Sequence, residues 1–141
     1  MPITPDHAGR AYAPTAPYEV TRVKVVEFAA ALGDVLPAED EAQPLAPPTF
    51  AAVVAHAAWD AMFIDPELGL SLDRVVHGDQ QFRYERPLQV GDVVTAALSI
   101  ARVRVRGTTE IISTSVDVRD AVGSTVLVAD ATFVHNREAA A

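Results

Sequence analysis

The stretch PPTFAAVVAHAAWDAMFI, residues 47–64, constrains this chain more than any other. It is apolar on every helical face except at His56 and Asp60, and Pro48 suits a first helical turn. A membrane span needs about 20 apolar residues, and this run is shorter and carries Asp60. A helix of this kind in a soluble protein is buried. The rest of the chain must therefore supply a surface that wraps it.

The sequence after Leu72 supplies strands. RVVHGDQQFRYERP, DVVTAALSIARVRVR, TTEIISTSVDVRD and STVLVADATFVHN each alternate in polarity. LQVGD, Gly107 and AVG separate them as turn signals. Short turns predict an antiparallel four-strand meander. Upstream, YEVT reads as a short strand and Thr21 as a helix cap, followed by a helical pattern that Gly33 ends. DVLPAEDEAQPLAPP then reads as an acidic, proline-rich loop, with Glu39, Asp40 and Glu41 solvated. Prolines 2, 5, 14 and 17 make residues 1–17 an extended or irregular arm, and REAAA, residues 137–141, a frayed tail. The expectation is one α+β domain over residues 1–141, a curved antiparallel sheet around a long buried helix.

Composition narrows the function. At 141 residues, half of them hydrophobic, the chain can build one core without staples. It has no cysteine, which removes disulfides and thiolate metal sites and suits a reducing cytoplasm. The first twenty residues lack the basic-then-apolar pattern of a signal peptide. A net charge of −8 opposes general affinity for nucleic acid or an anionic membrane. His7, His56, His77 and His135 lack metal-ligand spacing, and no glycine-rich phosphate loop or Gly-x-Ser-x-Gly elbow is present.

Four pieces carry a family resemblance: YEVTRVKVVEFAAALGD, LAPPTF at the opening of the apolar helix, VVHGDQQFRYERP, and the VGD that follows. Over about residues 9–134 the chain resembles the MaoC-like hydratases and dehydratases of the hot-dog fold. More narrowly it resembles their non-catalytic half: the N-terminal repeat of double-hot-dog hydratases, or the partner subunit of heterodimeric 3-hydroxyacyl-thioester dehydratases. The resemblance implies reversible addition of water across a 2-enoyl thioester, carried on coenzyme A or acyl carrier protein, with no cofactor. Such chemistry needs a carboxylate and an imidazole side by side. Active members carry them in a motif of the type Gly-Asp-x-Asn-Pro-x-His-x-Asp. Here GDVLPAED keeps Gly33 and Asp34, but Leu36 precedes Pro37 and Glu39 stands where the His belongs. The implied role is a subunit that holds the acyl chain and stabilises a catalytic partner in fatty-acid or polyketide metabolism. Two alternatives stay open: a homodimeric thioesterase or dehydratase using His56 and Asp60, and a non-enzymatic acyl-thioester binder.

The candidate residues each carry two readings. Asp34 is a remnant carboxylate near the acyl site, or a turn residue after a helix-ending glycine. His56 and Asp60, four apart, form an acid–base pair, or a structural pair at the helix edge. Pro48, Thr49 and Phe50 offer a helix start to the thioester carbonyl, or simply begin the helix. His77, Gly78, Asp79 and Gln80 line the thioester channel or partner contact, or form a β-bulge entering a strand. Arg102, Arg104 and Arg106 share one strand face, where they meet coenzyme A phosphates or an acidic carrier protein, or are simply solvated.

Overall fold

The computed structural model describes residues 2–34 and 44–138. A two-residue strand β1 (Tyr18–Glu19) leads into helix α1 (Arg22–Ala31). Thr21 caps α1 by accepting the Lys24 N–H at 3.3 Å. Gly33 closes it at φ 82°, a left-handed conformation that favours glycine. A 3₁₀ turn, Pro48–Phe50, then opens helix α2 (Ala51–Phe63). Four long strands complete the chain: β2 (Val75–Tyr84), β3 (Val93–Arg106), β4 (Thr109–Arg119) and β5 (Thr125–Asn136).

The strands form one antiparallel sheet in the order β1-β3-β4-β5-β2. This corrects the expected four-strand meander: β2 pairs with β5, not with β3. Residues 85–92 cross the end of the sheet instead of making a hairpin. Arg86 reaches Asp92 at 2.8 Å, the Gln89 N–H donates to Asp92, and Leu88 is buried under the crossing. The sheet curls over α2, whose inner face buries Val54, Ala55, Ala58, Trp59 and Met62 against Leu98, Ile100, Ile112, Val116 and Phe133. This is a single hot-dog fold, a curved sheet around a central helix. Among the described residues, no helix is long and apolar enough to cross a membrane.

A second correction concerns α2. It is not covered on all sides: His56, Ala57, Asp60 and Ile64 face outward and are exposed. One sheet can cover only one side of a helix, and the uncovered side carries the polar His56 and Asp60, the small Ala57 and, just past the helix, an exposed Ile64.

The N-terminal arm runs along the outer edge of β3. The Gly9, Tyr12 and Thr15 N–H groups donate to Ile100, Leu98 and Ala96 carbonyls at 2.7–2.9 Å. Its anchor lies after α2, where Asp65 accepts from the Tyr12 hydroxyl and from Arg10, both at 2.7 Å; Arg10 also pairs with Glu67. Burial, together with the Asp65 carboxylate, pushes the Tyr12 phenol up to about 12. The Tyr12 hydrogen bond, helped by Arg10, holds the Asp65 carboxyl below the usual carboxylate range. At the other end of the sheet, the far edge of β2 pairs with no strand among the described residues.

Candidate functional site

The predicted site residues fall into separate places. Pro48, Thr49 and Phe50 form the turn before α2. Phe50 is buried, in edge-to-face contact with Phe28 at 5.4 Å between ring centres. Its N–H is given to the Pro47 carbonyl at 2.9 Å, and proline has no N–H. Of the three, only Thr49 keeps an N–H outside these bonds. The Tyr84 hydroxyl donates to the Pro48 carbonyl, which ties the end of β2 to the start of α2. Beside this tie lies a pocket of about 350 Å³, lined by Ala46, Pro48, Tyr84, Pro87 and Leu88 among others. Burial raises the Tyr84 phenol above its ordinary value.

His77, Gly78, Asp79 and Gln80 lie at the other end of β2. Gly78 is the extra residue of a β-bulge: His77 pairs with Phe133 and Asp79 with the adjacent Thr132. Gly78 needs no positive φ, and a Cβ there would meet the Thr132 carbonyl oxygen at 3.5 Å, ordinary contact. His77 Nε2 lies 2.9 Å from Gln80 Oε1, and the Gln80 amide donates to the Asp130 carbonyl at 3.1 Å. The His77 ring packs on Trp59 at 5.1 Å and on Phe133 at 4.7 Å. His56 approaches the same Trp59 ring at 6.3 Å. Thus the bulge and the outer face of α2 meet around one indole, whose N–H is buried without a hydrogen-bond partner among the described residues. From His77 to Tyr84 the strand runs about 23 Å, so the two groups of candidates do not converge within one chain.

His56 Nε2 lies 3.9 Å from Asp60 Oδ2, and the side chains are 71% and 52% exposed. Asp34 sits exposed just past α1, its N–H on the Ala29 carbonyl at 2.9 Å. Leu36, Pro37, Glu39, Asp40 and Glu41 lie outside the described residues. Arg102, Arg104 and Arg106 are exposed on the convex face of β3. They face outward because a bulge between Ile100 and Arg102 reverses the alternation. Val94, Ala96, Leu98 and Ile100 point inward before it, and Val103 points inward after it. Among the described residues, no three His, Asp or Glu side chains gather as a metal site would require.

One polar cluster escaped the sequence reading. Glu110 and His135 are buried, with Glu110 Oε2 3.0 Å from His135 Nδ1. The Ser71 N–H donates to His135 Nε2 at 3.2 Å. Nε2 therefore accepts, and the Nδ1 proton is the one that reaches Glu110, which assigns the neutral Nδ1–H tautomer. Arg137 Nε stands 3.2 Å from the other Glu110 oxygen. A carboxylate-oriented imidazole is the arrangement a proton-transfer site uses, but here both ring nitrogens are engaged and sealed from solvent. The alternation of TTEIIS and FVHN marks both side chains as inward-facing. Their pairing across β4 and β5 depends on strand register, which the sequence does not print.

Comparisons with known proteins agree with this architecture. Residues 6–129 match the family described as the FAS1-like dehydratase domain region. The chain is a member of the MaoC-like hot-dog dehydratase family. A UPF0336 protein of Cutibacterium acnes is 47% identical to it over 137 residues, covering 97% of this chain and 96% of that protein. Among solved structures, the HadBC (3R-hydroxyacyl-ACP dehydratase) complex of Mycobacterium tuberculosis superposes with a TM-score of 0.80 at 25% identity, covering 92% of this chain and 97% of the other. A MaoC-like dehydratase gives the same TM-score and identity, but this MaoC-like chain spans only 42% of that one.

Proposed function

We propose that this chain is the acyl-holding, stabilising subunit of a (3R)-hydroxyacyl-thioester dehydratase, acting in fatty-acid or polyketide metabolism. The catalytic carboxylate and imidazole come from a second hot-dog chain docked on the free edge of β2. The observation that carries this reading is the split site. The turn and pocket at Pro48–Tyr84 and the bulge at His77–Gln80 occupy opposite ends of one open strand. A second strand docked antiparallel on that edge sets each end against the opposite end of its partner, so that every site draws on both chains.

The chain's own groups fit a binding role better than a proton-transfer role. Of its two imidazole–carboxylate pairs among the described residues, His56–Asp60 is solvated and loosely spaced, and His135–Glu110 is closed to any substrate. The Thr49 N–H at the start of α2 suits a thioester carbonyl, where it would stabilise charge developing on the oxygen. The apolar pocket beside it suits the acyl or pantetheine chain. The name of the HadBC complex supports both a partner subunit and a substrate carried on acyl carrier protein.

The test is reconstitution. The isolated chain should not hydrate a 2-enoyl thioester, and activity should appear when a catalytic MaoC-like chain is added. Turnover by the isolated chain at an ordinary enzymatic rate overturns the proposal. It would favour a self-sufficient homodimer working through His56 and Asp60, which flank the Trp59 edge that a docked chain would cover. Acyl-thioester binding with no turnover alone or with the partner would point to a non-enzymatic carrier.

A further inference from the structure

We infer that Arg102, Arg104 and Arg106 form a docking ladder for an acidic helix of an acyl carrier protein, an inference that rests on the function proposed above. Within a chain of net charge −8, these three arginines stand apart. Arg10, Arg74, Arg83, Arg86, Arg119 and Arg137 each have a carboxylate partner within 3.2 Å. Arg22 has a partner of its own. The three on β3 have none among the described residues. Their cross-strand neighbours on β4 are Ser113, Ile111 and Thr109, which bring no acid to the face.

The ladder is also built rather than incidental. Val94 to Ile100 alternate with the even-numbered positions inward, so an unbroken strand would drive all three arginines into the core. The bulge at Ala101 turns them outward together. Backbone pairing of the N-terminal arm with β3 ends at Ile100, and although its turn at Pro5–His7 still lies against β3, the three arginine side chains stay exposed.

The spacing selects the occupant. From Arg102 to Arg106 the strand runs about 13 Å on an open convex face. One phosphate or pyrophosphate needs converging donors, which an extended row on a convex surface does not offer. Carboxylates one turn apart on a helix recur every 5.4 Å or so, and three span about 11 Å. Arginine side chains are long enough to take up the difference, and the guanidinium fork matches carboxylates two-pronged. Nucleic acid, the other extended polyanion, gains affinity in proportion to the phosphates neutralised, and a row of three arginines with no basic surface continuing it offers too few.

The experiment has two arms. In the first, binding of apo acyl carrier protein, which lacks the pantetheine arm, is measured for the wild type, for R102E/R104E/R106E and for K24E, a charge reversal on exposed α1. The triple variant should bind at least tenfold more weakly at 50 mM salt, K24E should match the wild type, and 300 mM salt should weaken the wild type toward the variant. In the second, the complex with a catalytic hot-dog partner is assayed. The triple variant should raise KM for the carrier-bound enoyl substrate at least tenfold with kcat unchanged, and leave KM for the coenzyme A thioester within twofold. Unchanged apo-carrier binding in the triple variant overturns the ladder. So does an equal KM rise for both substrates, which would make the row a site for coenzyme A phosphates. An absence of turnover with either thioester overturns the dehydratase reading instead, and the apo-carrier arm still decides the ladder.

Discussion

Replacing His135 by alanine tests the buried cluster most directly. Glu110 and His135 side chains are 1% and 2% exposed, and the pair closes at 3.0 Å. Removing the imidazole leaves a carboxylate in the core and takes the acceptor from the Ser71 N–H. Breaking one side of a buried pair costs about 3–5 kcal/mol, because the remaining charge is uncompensated. Arg137 still stands 3.2 Å from one Glu110 oxygen, which places His135→Ala near the lower end, at about 3 kcal/mol. That is a large part of the roughly 5–15 kcal/mol that holds a domain folded. At about 3 °C per kcal/mol for a chain of this size, Tm should fall by about 10 °C. Glu110→Leu/His135→Leu removes the buried carboxylate together with its imidazole partner and leaves Arg137, a third exposed, free to turn to water. The double variant should cost only about 1–2 kcal/mol, less than either single change. Urea unfolding at fixed protein concentration measures His135→Ala, the double variant and its two component singles, Glu110→Leu and His135→Leu. A cost below about 1 kcal/mol for His135→Ala, or a double variant equal to the sum of the singles, refutes the argument that the two groups are energetically one unit.

Three further outcomes follow from geometry. His56→Ala and Asp60→Ala should each change stability by less than about 0.5 kcal/mol in thermal melts, since the pair is exposed and 3.9 Å apart, and neither should lower hydration by the reconstituted complex. Gly78→Ala should melt within about 1 °C of the wild type, because its Cβ meets only ordinary contacts, yet should lower activity of the complex if acyl chain or partner backbone passes close to the bulge. The Asp65 carboxyl is held below its ordinary value, so the stability it lends the arm is present above an unfolded pKa of about 4 and is lost as pH falls through the lower folded one. Hydrogen exchange at the Gly9, Tyr12 and Thr15 amides should therefore quicken, after correction for intrinsic rates, on acidification below about pH 4, and should already be fast at neutral pH in Asp65→Asn.

What the sequence disclosed and what it withheld divide along a physical line. Local periodicity placed α1, α2 and the four long strands within a few residues, because helix and strand alternation is written along the chain. The outward face of Arg102, Arg104 and Arg106 also follows from the phase break between Ile100 and Val103, once that break is read as a bulge. Strand order was missed, because it depends on where β5 returns after the sheet has curled, and nothing in ERPLQVGD says which neighbour β2 will find. The same loss hid Glu110–His135, which are 25 residues apart, and the grip of Arg10 and Tyr12 on Asp65, more than 50 residues away. Each candidate site residue was legible as a type, but not which of them would share a place.

The arm and the bare strand together explain why an incomplete site is physically coherent. A sheet of this kind has two edges, and an exposed edge invites pairing with any other strand. Residues 9–15 close the β3 edge with the chain's own backbone, and the Arg10–Asp65–Tyr12 grip holds them there. The β2 edge receives no such cover among the described residues, although Val76 on it is 59% exposed. A chain that spends residues 9–15 on sealing one edge and leaves the other open among the described residues directs association to a single strand. That strand carries His77–Gln80 at one end and the Tyr84–Pro48 tie at the other. Docking there both satisfies the backbone and assembles the site, so a change that frees the arm should scatter association over two edges and lower activity without touching a site residue.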